Sequence, residues 1–574
     1  MKYTAQEFSF GLFSLACFPT AYVLVYFQQE HPSWCFADTC IDAKRNMQPL
    51  IYSHLAVFYG LLGYSAIVFY ASTKIRFLQR IFSKTVLPGS TISVGELIWT
   101  AMTIFGLLGL QVHAYNWWWN RRAEKWFKDK KEYEGLVVKS LFNASGDILA
   151  IMIGLVMLPV SKNSFLSTFL SLPYTSLQRI HIWLGRILFW YTLFHASTGI
   201  ASLAMSKADI LAKLFTIAAN AVWGSSRYQY ITGVVATVVL AFVTLTSLSY
   251  VRRKWYNTFY FTHFLVVVFI AFAYFHASNC IFFLIPGLCL YCVDGVLRLS
   301  TRFSNETVSG VHFEQFGYIT VTISTTKAAR AHPGQFMRVC FPGVSQAEFH
   351  PWSIVKATDK SVTFLFRPST SAKEWSTKVA NLLQTYKTNG HSSFTVIKSH
   401  LQGPFGKEIE IVSDARPQDV VVFYVGGTGV AASIQAIEHV LARNQTSSHQ
   451  TKIYLFWSSR YPNLDTLSHL QSWILGQGNE KSGVTIELFE SSPKYTQHDA
   501  VSLHSNVVRS HQRSNLKVLL SKHVKATEFG DILNVGLFIC GPRSFTTDAL
   551  KAVSAFSKEN KGLRIRTEIE SFEL

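Results

Sequence analysis

SLQRIHIWLGRILFWYTLFHASTGI (176–200) and FYFTHFLVVVFIAFAYFHAS (259–278) each carry two histidines: His181 and His195 in the first, His263 and His276 in the second. Both stretches are long and apolar enough for a helix to cross a bilayer, which takes about 20 residues. An ionisable side chain inside such a segment is costly and by default marks a functional site. Neutral imidazole is also a common ligand of haem iron. The spacings are 195 − 181 = 14 and 276 − 263 = 13 residues, so each helix sets its two imidazoles about 20 Å apart in height. The heights match. One further span, 229–250, lies between the two, so both helices run the same way across the membrane. The expectation is two haems stacked across the bilayer, each taking one histidine from each helix. Ligation by two histidines fills both axial positions, so such iron relays electrons and has no open position for oxygen. At about 100° per residue, 14 steps return nearly to one face, whereas 13 steps miss by about 140°. The second helix is therefore expected to tilt or distort. The competing reading is four transmembrane histidines bonded to carbonyls. His54 and His113 have no partner at such a spacing and are expected to be non-ligands.

The 574 residues are too many for one core, and their average composition hides a sharp division. Residues 1–300 hold long apolar runs, and 301–574 read like a soluble protein. The expected spans are 8–27, 51–71, 96–116, 145–160, 176–200, 229–250, 258–277 and 280–297, the first retained rather than cleaved as a signal peptide. A net charge of +19 admits nucleic-acid binding, but the basic residues are scattered or flank apolar spans, which suits a membrane protein and no nucleic acid. Lys74, Arg76, Arg80 and Lys84 follow the second span, and Arg252, Arg253 and Lys254 follow the sixth. Basic short loops face the cytosol, so both termini are expected to be cytosolic, with the plasma membrane as the site. The loop 117–140 conflicts with this topology: it should face outward, yet it carries Arg121, Arg122, Lys125, Lys128, Lys130 and Lys131. Eight cysteines are spread along the chain with no CxxC…CxxC or CxxCH pattern, and Cys35 with Cys40 is a candidate exofacial disulfide.

After Ser300 short strands begin. GYITVTIS (317–324) and SVTFLFRPS (361–369) alternate apolar and polar residues, which suggests a small antiparallel β-barrel over about 303–410. Its marked segments are PGQFMRVCFP (333–342), HPWSIV (350–355), FRPS (366–369) and GPFGK (403–407). From 415 onward apolar strands alternate with helical stretches, the pattern of a doubly wound α/β sheet. In DVVVFYVGGTGVAASIQAIEHVL, a strand leads through Gly427-x-Gly429-x-x-Ala432 into a helix, a loose form of the turn whose glycines let a pyrophosphate approach backbone N–H groups. The next strand, KIYLFWSSR, ends in Arg460 rather than an acid, which favours NADPH over NADH because an arginine suits a 2′-phosphate.

In this order, the segments resemble those of a fungal ferric-reductase-like transmembrane protein of the ferric reductase and NADPH oxidase superfamily, over about 95–574. The resemblance rests on His-x13-His, then RRKWYNTFYFTH leading into His-x12-His, then HPWS, GPFG, GGTG and CGP. It implies a multi-span α-helical membrane domain with two stacked haems, followed by a ferredoxin-reductase-like module of flavin barrel and nicotinamide sheet. The domain boundaries expected are 1–94 for two N-terminal spans, 95–300 for a six-helix haem domain, 301–412 for the FAD barrel and 413–574 for the NADPH domain. By position, His350, Pro351, Trp352 and Ser353 match the flavin motif, with Trp for the usual Phe, and Ser353 would meet the isoalloxazine edge. Arg367 would meet the FAD pyrophosphate, and Gly403 and Gly406 match the second flavin segment. Gly426, Gly427, Thr428 and Gly429 match the nicotinamide loop without the family's usual Pro. Cys540, Gly541 and Pro542 match the element near the nicotinamide, and Phe572 the aromatic tail over the flavin. Ile182 stands where the family usually has an arginine.

The resemblance implies that reducing equivalents from cytosolic NADPH pass through FAD and two b-type haems to an acceptor outside. The leading expectation is a metalloreductase acting on ferric or cupric chelates. A superoxide-generating oxidase and a haem- or iron-uptake component with partner proteins are the alternatives.

Overall fold

The computed structural model describes residues 48–75, 77–78, 81, 94–129, 132–160, 174–215, 229–277, 279–300, 306–314, 317–346, 348–388, 397–406, 408–413, 418–459, 484–490, 507–510, 514–524, 533–560 and 562–571. The expected first span and the Cys35–Cys40 pair lie outside these. The chain divides into two compact units, one helical and ending at Leu297, the other running from Arg298.

The helical unit contains α1 (Gln48–Lys74), α2 (Val94–Lys128), α3 (Tyr133–Met157), α4 (Tyr174–Met205), α5 (Gln229–Thr246), α6 (Tyr256–His263), α7 (Val266–His276) and α8 (Cys280–Ser300). Among the described residues, four helical stretches have the length and hydropathy of a membrane span: Val94–Lys128, Tyr133–Val160, Leu177–Met205 and Tyr256–His276. Tyr230–Thr246 and Cys280–Val296 are shorter apolar helices. The protein is a membrane protein. Its helical core interleaves Leu55 and Phe58 of α1, Ile148 and Leu155 of α3, Leu184 and Leu188 of α4, Leu240 of α5, Phe269 of α7 and Phe283 of α8.

The expected loop 117–140 is mostly helix. No Gly or Pro stands between Leu110 and Glu134 to stop α2, and a Glu124–Lys128 pair at 2.5 Å ties its last turn. The turn to α3 is closed by Trp126 Nε1, which donates to Glu132 O at 2.9 Å.

The expected distortion of the second histidine helix is found between α6 and α7. Phe264, Leu265 and Val267 donate to carbonyls three residues back, at 3.3, 3.0 and 3.0 Å, before normal winding resumes at Phe269. A three-residue turn advances about 120° per residue, so three such steps recover about 60° of the 140° by which thirteen ordinary steps miss.

The second unit begins with a closed barrel of order β1-β2-β5-β4-β3-β6, antiparallel throughout. Its strands are β1 (Glu306–Phe313), β2 (Ile319–Ser324), β3 (Phe336–Cys340), β4 (His350–Ala357), β5 (Ser361–Phe366) and β6 (Lys398–Phe405), with α9 (Trp375–Thr388) between the last two. The core of the barrel holds Val321, Val339, Ile354, Phe364 and Leu401. A parallel sheet of order β10-β9-β8-β7-β11-β12 follows. Its strands are β7 (Val420–Gly426), β8 (Lys452–Ser459), β9 (Val484–Glu490), β10 (Val507–Ser510), β11 (Leu533–Gly541) and β12 (Leu563–Ser571), with helices α10 (Val430–Thr446), α11 (Leu516–His523) and α12 (Arg543–Glu559).

Alternate residues of β7 serve the two faces of the sheet. Val421, Phe423 and Val425 pack with α10 and with Tyr318, Val355 and Leu365 of the barrel. Val420, Val422 and Tyr424 pack with α11 and α12. Helices on both faces of a parallel sheet make it doubly wound. The second unit therefore has the two-part plan of a ferredoxin-reductase-like module, its barrel and sheet sharing one apolar core.

Candidate functional site

The four histidines meet two by two across the helical unit. His181 and His263 have ring centres 6.1 Å apart with planes at 73°, and His195 and His276 are 6.1 Å apart with planes at 81°. An imidazole nitrogen sits about 2.0 Å from a bound metal and roughly 1.1 Å from its own ring centre, so two imidazoles meeting one ion from opposite sides hold their centres about 6 Å apart. Both pairs have that separation, so the residues fit haem iron at two levels.

The outward nitrogens are tied. His181 Nδ1 lies 3.0 Å from Val156 O, a carbonyl in the last turn of α3. His195 Nδ1 lies 3.1 Å from Phe142 O and 2.9 Å from Ser145 Oγ. A carbonyl only accepts, so Nδ1 carries the proton in both rings. Ser247 Oγ donates to Val243 O at 2.6 Å and lies 3.2 Å from His263 Nδ1, so this hydroxyl accepts from the ring. These bonds leave the Nε2 lone pair of each of the three rings for a metal. A tied second nitrogen is the usual way a ligating imidazole is oriented.

Two glycines make room for the rings of the second pair. A Cβ on Gly146 would stand 3.1 Å from His195 Cε1, and one on Gly233 would stand 2.8 Å from both Cε1 and Nδ1 of His276. Ser145, Ser247, Gly146 and Gly233 were not identified from the sequence. The available signal was weak: a small or polar residue inside an apolar span. Replacing Gly233 by valine overpacks the His276 seat at a cost of about 1–3 kcal/mol. On the reading of both pairs as haem ligands, the expected result is loss of about one haem equivalent per purified chain, with the His181–His263 level retained, read by pyridine haemochrome.

In the barrel, the flavin-motif residues gather at one end. Ser353 in β4 pairs with Phe336 at the start of β3, which pairs with Phe405 at the end of β6, and Arg367 follows the end of β5. The Arg367 guanidinium lies over the Tyr318 ring at 5.6 Å, and Tyr318 Oη lies 3.4 Å from Ser459 Oγ at the end of β8. The His350 ring stacks on Trp375 at 4.1 Å. Pro351 is half-buried beside it. Trp352 turns into the barrel core, stacked on Phe366 at 4.4 Å, so its backbone is the part that remains for a cofactor. Gly403 has φ +119°, and a Cβ there would meet Phe405 N at 3.1 Å and Phe336 O at 3.3 Å, which keeps the position a glycine. Gly406 follows at the strand end, its carbonyl accepting from Gln335 Nε2 at 3.2 Å.

In the sheet, the order reverses between β7 and β11, the place where doubly wound folds bind nucleotides beyond the strand ends. The turn Gly426-Gly427-Thr428-Gly429 leaves β7 there, and Cys540-Gly541-Pro542 leaves β11 beside it. Gly427 has φ +58°, and its carbonyl accepts from Trp457 Nε1 at 2.8 Å. Thr428 is exposed. A Cβ on Gly429 would stand 3.0 Å from Cys540 O and 3.1 Å from its Sγ. Burial pushes the Cys540 thiol well up, and the facing Glu570 adds to this. Arg460 and Phe572 lie outside the described residues.

Burial pushes the Glu570 carboxyl up to about 7, from an ordinary 4.5. The folded state therefore holds this proton more tightly than the unfolded state does. Its stabilising effect is complete below about 4.5 and is lost as the pH rises to about 7. Glu570→Gln is expected to flatten that slope by about 1–2 kcal/mol, measured as the difference in Tm of the full chain at about pH 5 and pH 8.

Comparison with known proteins gives three findings. Residues 145–274 match a family described as ferric reductase like transmembrane component, and residues 304–409 match an FAD-binding domain. "Ferric reduction oxidase 8, mitochondrial" from Arabidopsis thaliana is 22% identical over 56% of this chain and 43% of its own length. A superoxide-generating NADPH oxidase heavy chain from Dictyostelium discoideum is 24% identical over 57% of this chain and 67% of its own length. The matches thus span less than half of the plant relatives. A solved ferredoxin NADP+ reductase from Neisseria gonorrhoeae is similar over 46% of this chain and 97% of that one, at 13% identity and a TM-score of 0.32.

Proposed function

Because the chain belongs to the ferric reductase and NADPH oxidase superfamily, we propose that it carries electrons from cytosolic NADPH across a membrane to a ferric or cupric chelate outside. The observation that supports this most is the pair of facing imidazole pairs, each 6.1 Å across, on helices that span the bilayer. When bound, FAD and haem iron supply the redox chemistry, and the protein supplies position, ligation and polarity.

His181 with His263, and His195 with His276, hold the two irons at heights about 20 Å apart. Ser353, Arg367, Gly403 and Gly406 seat FAD at one end of the barrel. The turn from Gly426 to Gly429 brings backbone N–H groups to the NADPH pyrophosphate, with Cys540 to Pro542 as the opposite wall. Each NADPH oxidised reduces two ferric ions and releases one proton. Arg460 meets the 2′-phosphate of NADPH. Arg460→Asp is expected to shift the kcat/KM ratio of NADPH to NADH toward NADH by about 10–100-fold, since it exchanges an ion pair for a repulsion.

A second reading, a superoxide-generating oxidase, draws on the amoebal relative, which is about as similar as the plant ones. Ferric-chelate reduction by intact cells, with and without superoxide dismutase, separates the two. Reduction that dismutase leaves unchanged is the expected result. Reduction that dismutase abolishes moves the assignment to the oxidase. No reduction in either case rejects both.

A further inference from the structure

Trp457 is fully buried in β8, opposite Val425 of β7 in the pairing of the two strands. A buried indole N–H usually takes a hydrogen-bond partner. This one reaches past the strands to the turn that leaves β7, where it donates to the Gly427 carbonyl at 2.8 Å. The indole ring also meets Tyr318, just before β2 of the barrel, with centres 6.2 Å apart and planes at 65°.

The bond orients more than a carbonyl. A trans peptide is planar, and its C=O and N–H point in opposite directions. The Gly427–Thr428 peptide is trans. With the Gly427 oxygen held inward on Trp457, the Thr428 N–H is turned outward. That outer side is open: Thr428 is exposed, and a Cβ built on Gly427 would meet nothing within 4 Å. Gly427 has φ +58°, and glycine takes either hand of φ about equally, so its own backbone does not select this orientation. The indole does. The next peptide plane is held as well, since the Thr428 carbonyl accepts from Val430 N–H.

α10 begins at Val430, directly after the turn. N–H groups at the start of a helix have no carbonyl partner from within it and carry the positive end of its dipole, which suits a phosphate. Were the peptide turned over, the same spot would present the Gly427 oxygen to the phosphate, a repulsion in place of a hydrogen bond.

We propose that Trp457 is a positioning residue of the nicotinamide site: by holding the Gly427 carbonyl inward, it aims the Thr428 N–H at the pyrophosphate of NADPH. It acts through the turn and does not itself touch the nucleotide. The proposal rests on the reading of this turn as the NADPH site.

Trp457→Phe keeps an aromatic ring in the core and removes the N–H. In the full-length holoprotein, assayed with a dye that accepts electrons at the flavin, KM for NADPH is expected to rise about tenfold while kcat stays within about twofold. Two competitive inhibitors locate the loss. NADP+ carries the pyrophosphate, and adenosine 2′-monophosphate lacks it. The Ki of NADP+ is expected to rise about tenfold and that of adenosine 2′-monophosphate to stay within about twofold. Equal rises for both, or a variant that no longer retains FAD, make Trp457 a residue of the fold alone and overturn the proposal. An unchanged Ki for NADP+ overturns it too and leaves the NADPH reading standing. A wild type that neither compound inhibits rejects the NADPH reading, and this proposal with it.

Discussion

His195→Ala is expected to lower reduction of an external ferric chelate by more than about 100-fold, because loss of a partner that merely orients a ligand already costs about 10–100-fold. His195 shares its level with His276 at 6.1 Å, and its Nδ1 is tied to Phe142 O and Ser145 Oγ. On the proposed function, removing the ring leaves one axial ligand at that level and breaks the path there. The unit from Arg298 onward is untouched by the change. NADPH-driven reduction of a dye that accepts electrons at the flavin is therefore expected to stay within about twofold of the wild type. The two assays on one preparation distinguish a severed path from a misfolded protein. Equal loss in both would mean that His195 supports folding rather than electron transfer.

Gly429→Val acts at the other end of the path. Its Cβ would stand 3.0 Å from Cys540 O and 3.1 Å from Cys540 Sγ. The backbone carbonyl cannot move without disturbing β11, which is paired on both sides by β7 and β12. The turn must therefore lift away from its neighbour, and the N–H groups that would meet the pyrophosphate lift with it. Overpacking of this kind costs about 1–3 kcal/mol, which predicts a fall of about 10–100-fold in kcat/KM for NADPH. Haem and FAD content are expected to be unchanged. Electron transfer driven by dithionite, which bypasses the nicotinamide, is expected to be normal. A variant that loses FAD as well would show that the turn braces the barrel instead.

Much of the fold and of the site is legible in the sequence, for a physical reason. Height along a helix is fixed by residue count, so steps of 14 and 13 positions from one histidine to the next are enough to imply two matching levels. The glycine turn can be read because its strand, turn and helix are contiguous. The same holds for the barrel strands, whose alternation is local.

What is not legible depends on which helix faces which. Ser145, Ser247 and Gly233 act on rings of other helices, so nothing in their own segments marks them. The continuation of α2 through its basic, tryptophan-rich end is hidden by charge, which suggests a loop where the absence of Gly and Pro favours helix. The spacing of 13 calls for a tilt of the second histidine helix or a distortion somewhere in it, without choosing between them or locating the distortion. The fold places it at Phe264 and Leu265.

The most direct test is a reduced-minus-oxidised spectrum of the purified full-length protein, with haem counted against protein. The account predicts at least two b-type haems per chain, low-spin in both oxidation states. A preparation that is saturated with hemin yet holds none, or one, would contradict it.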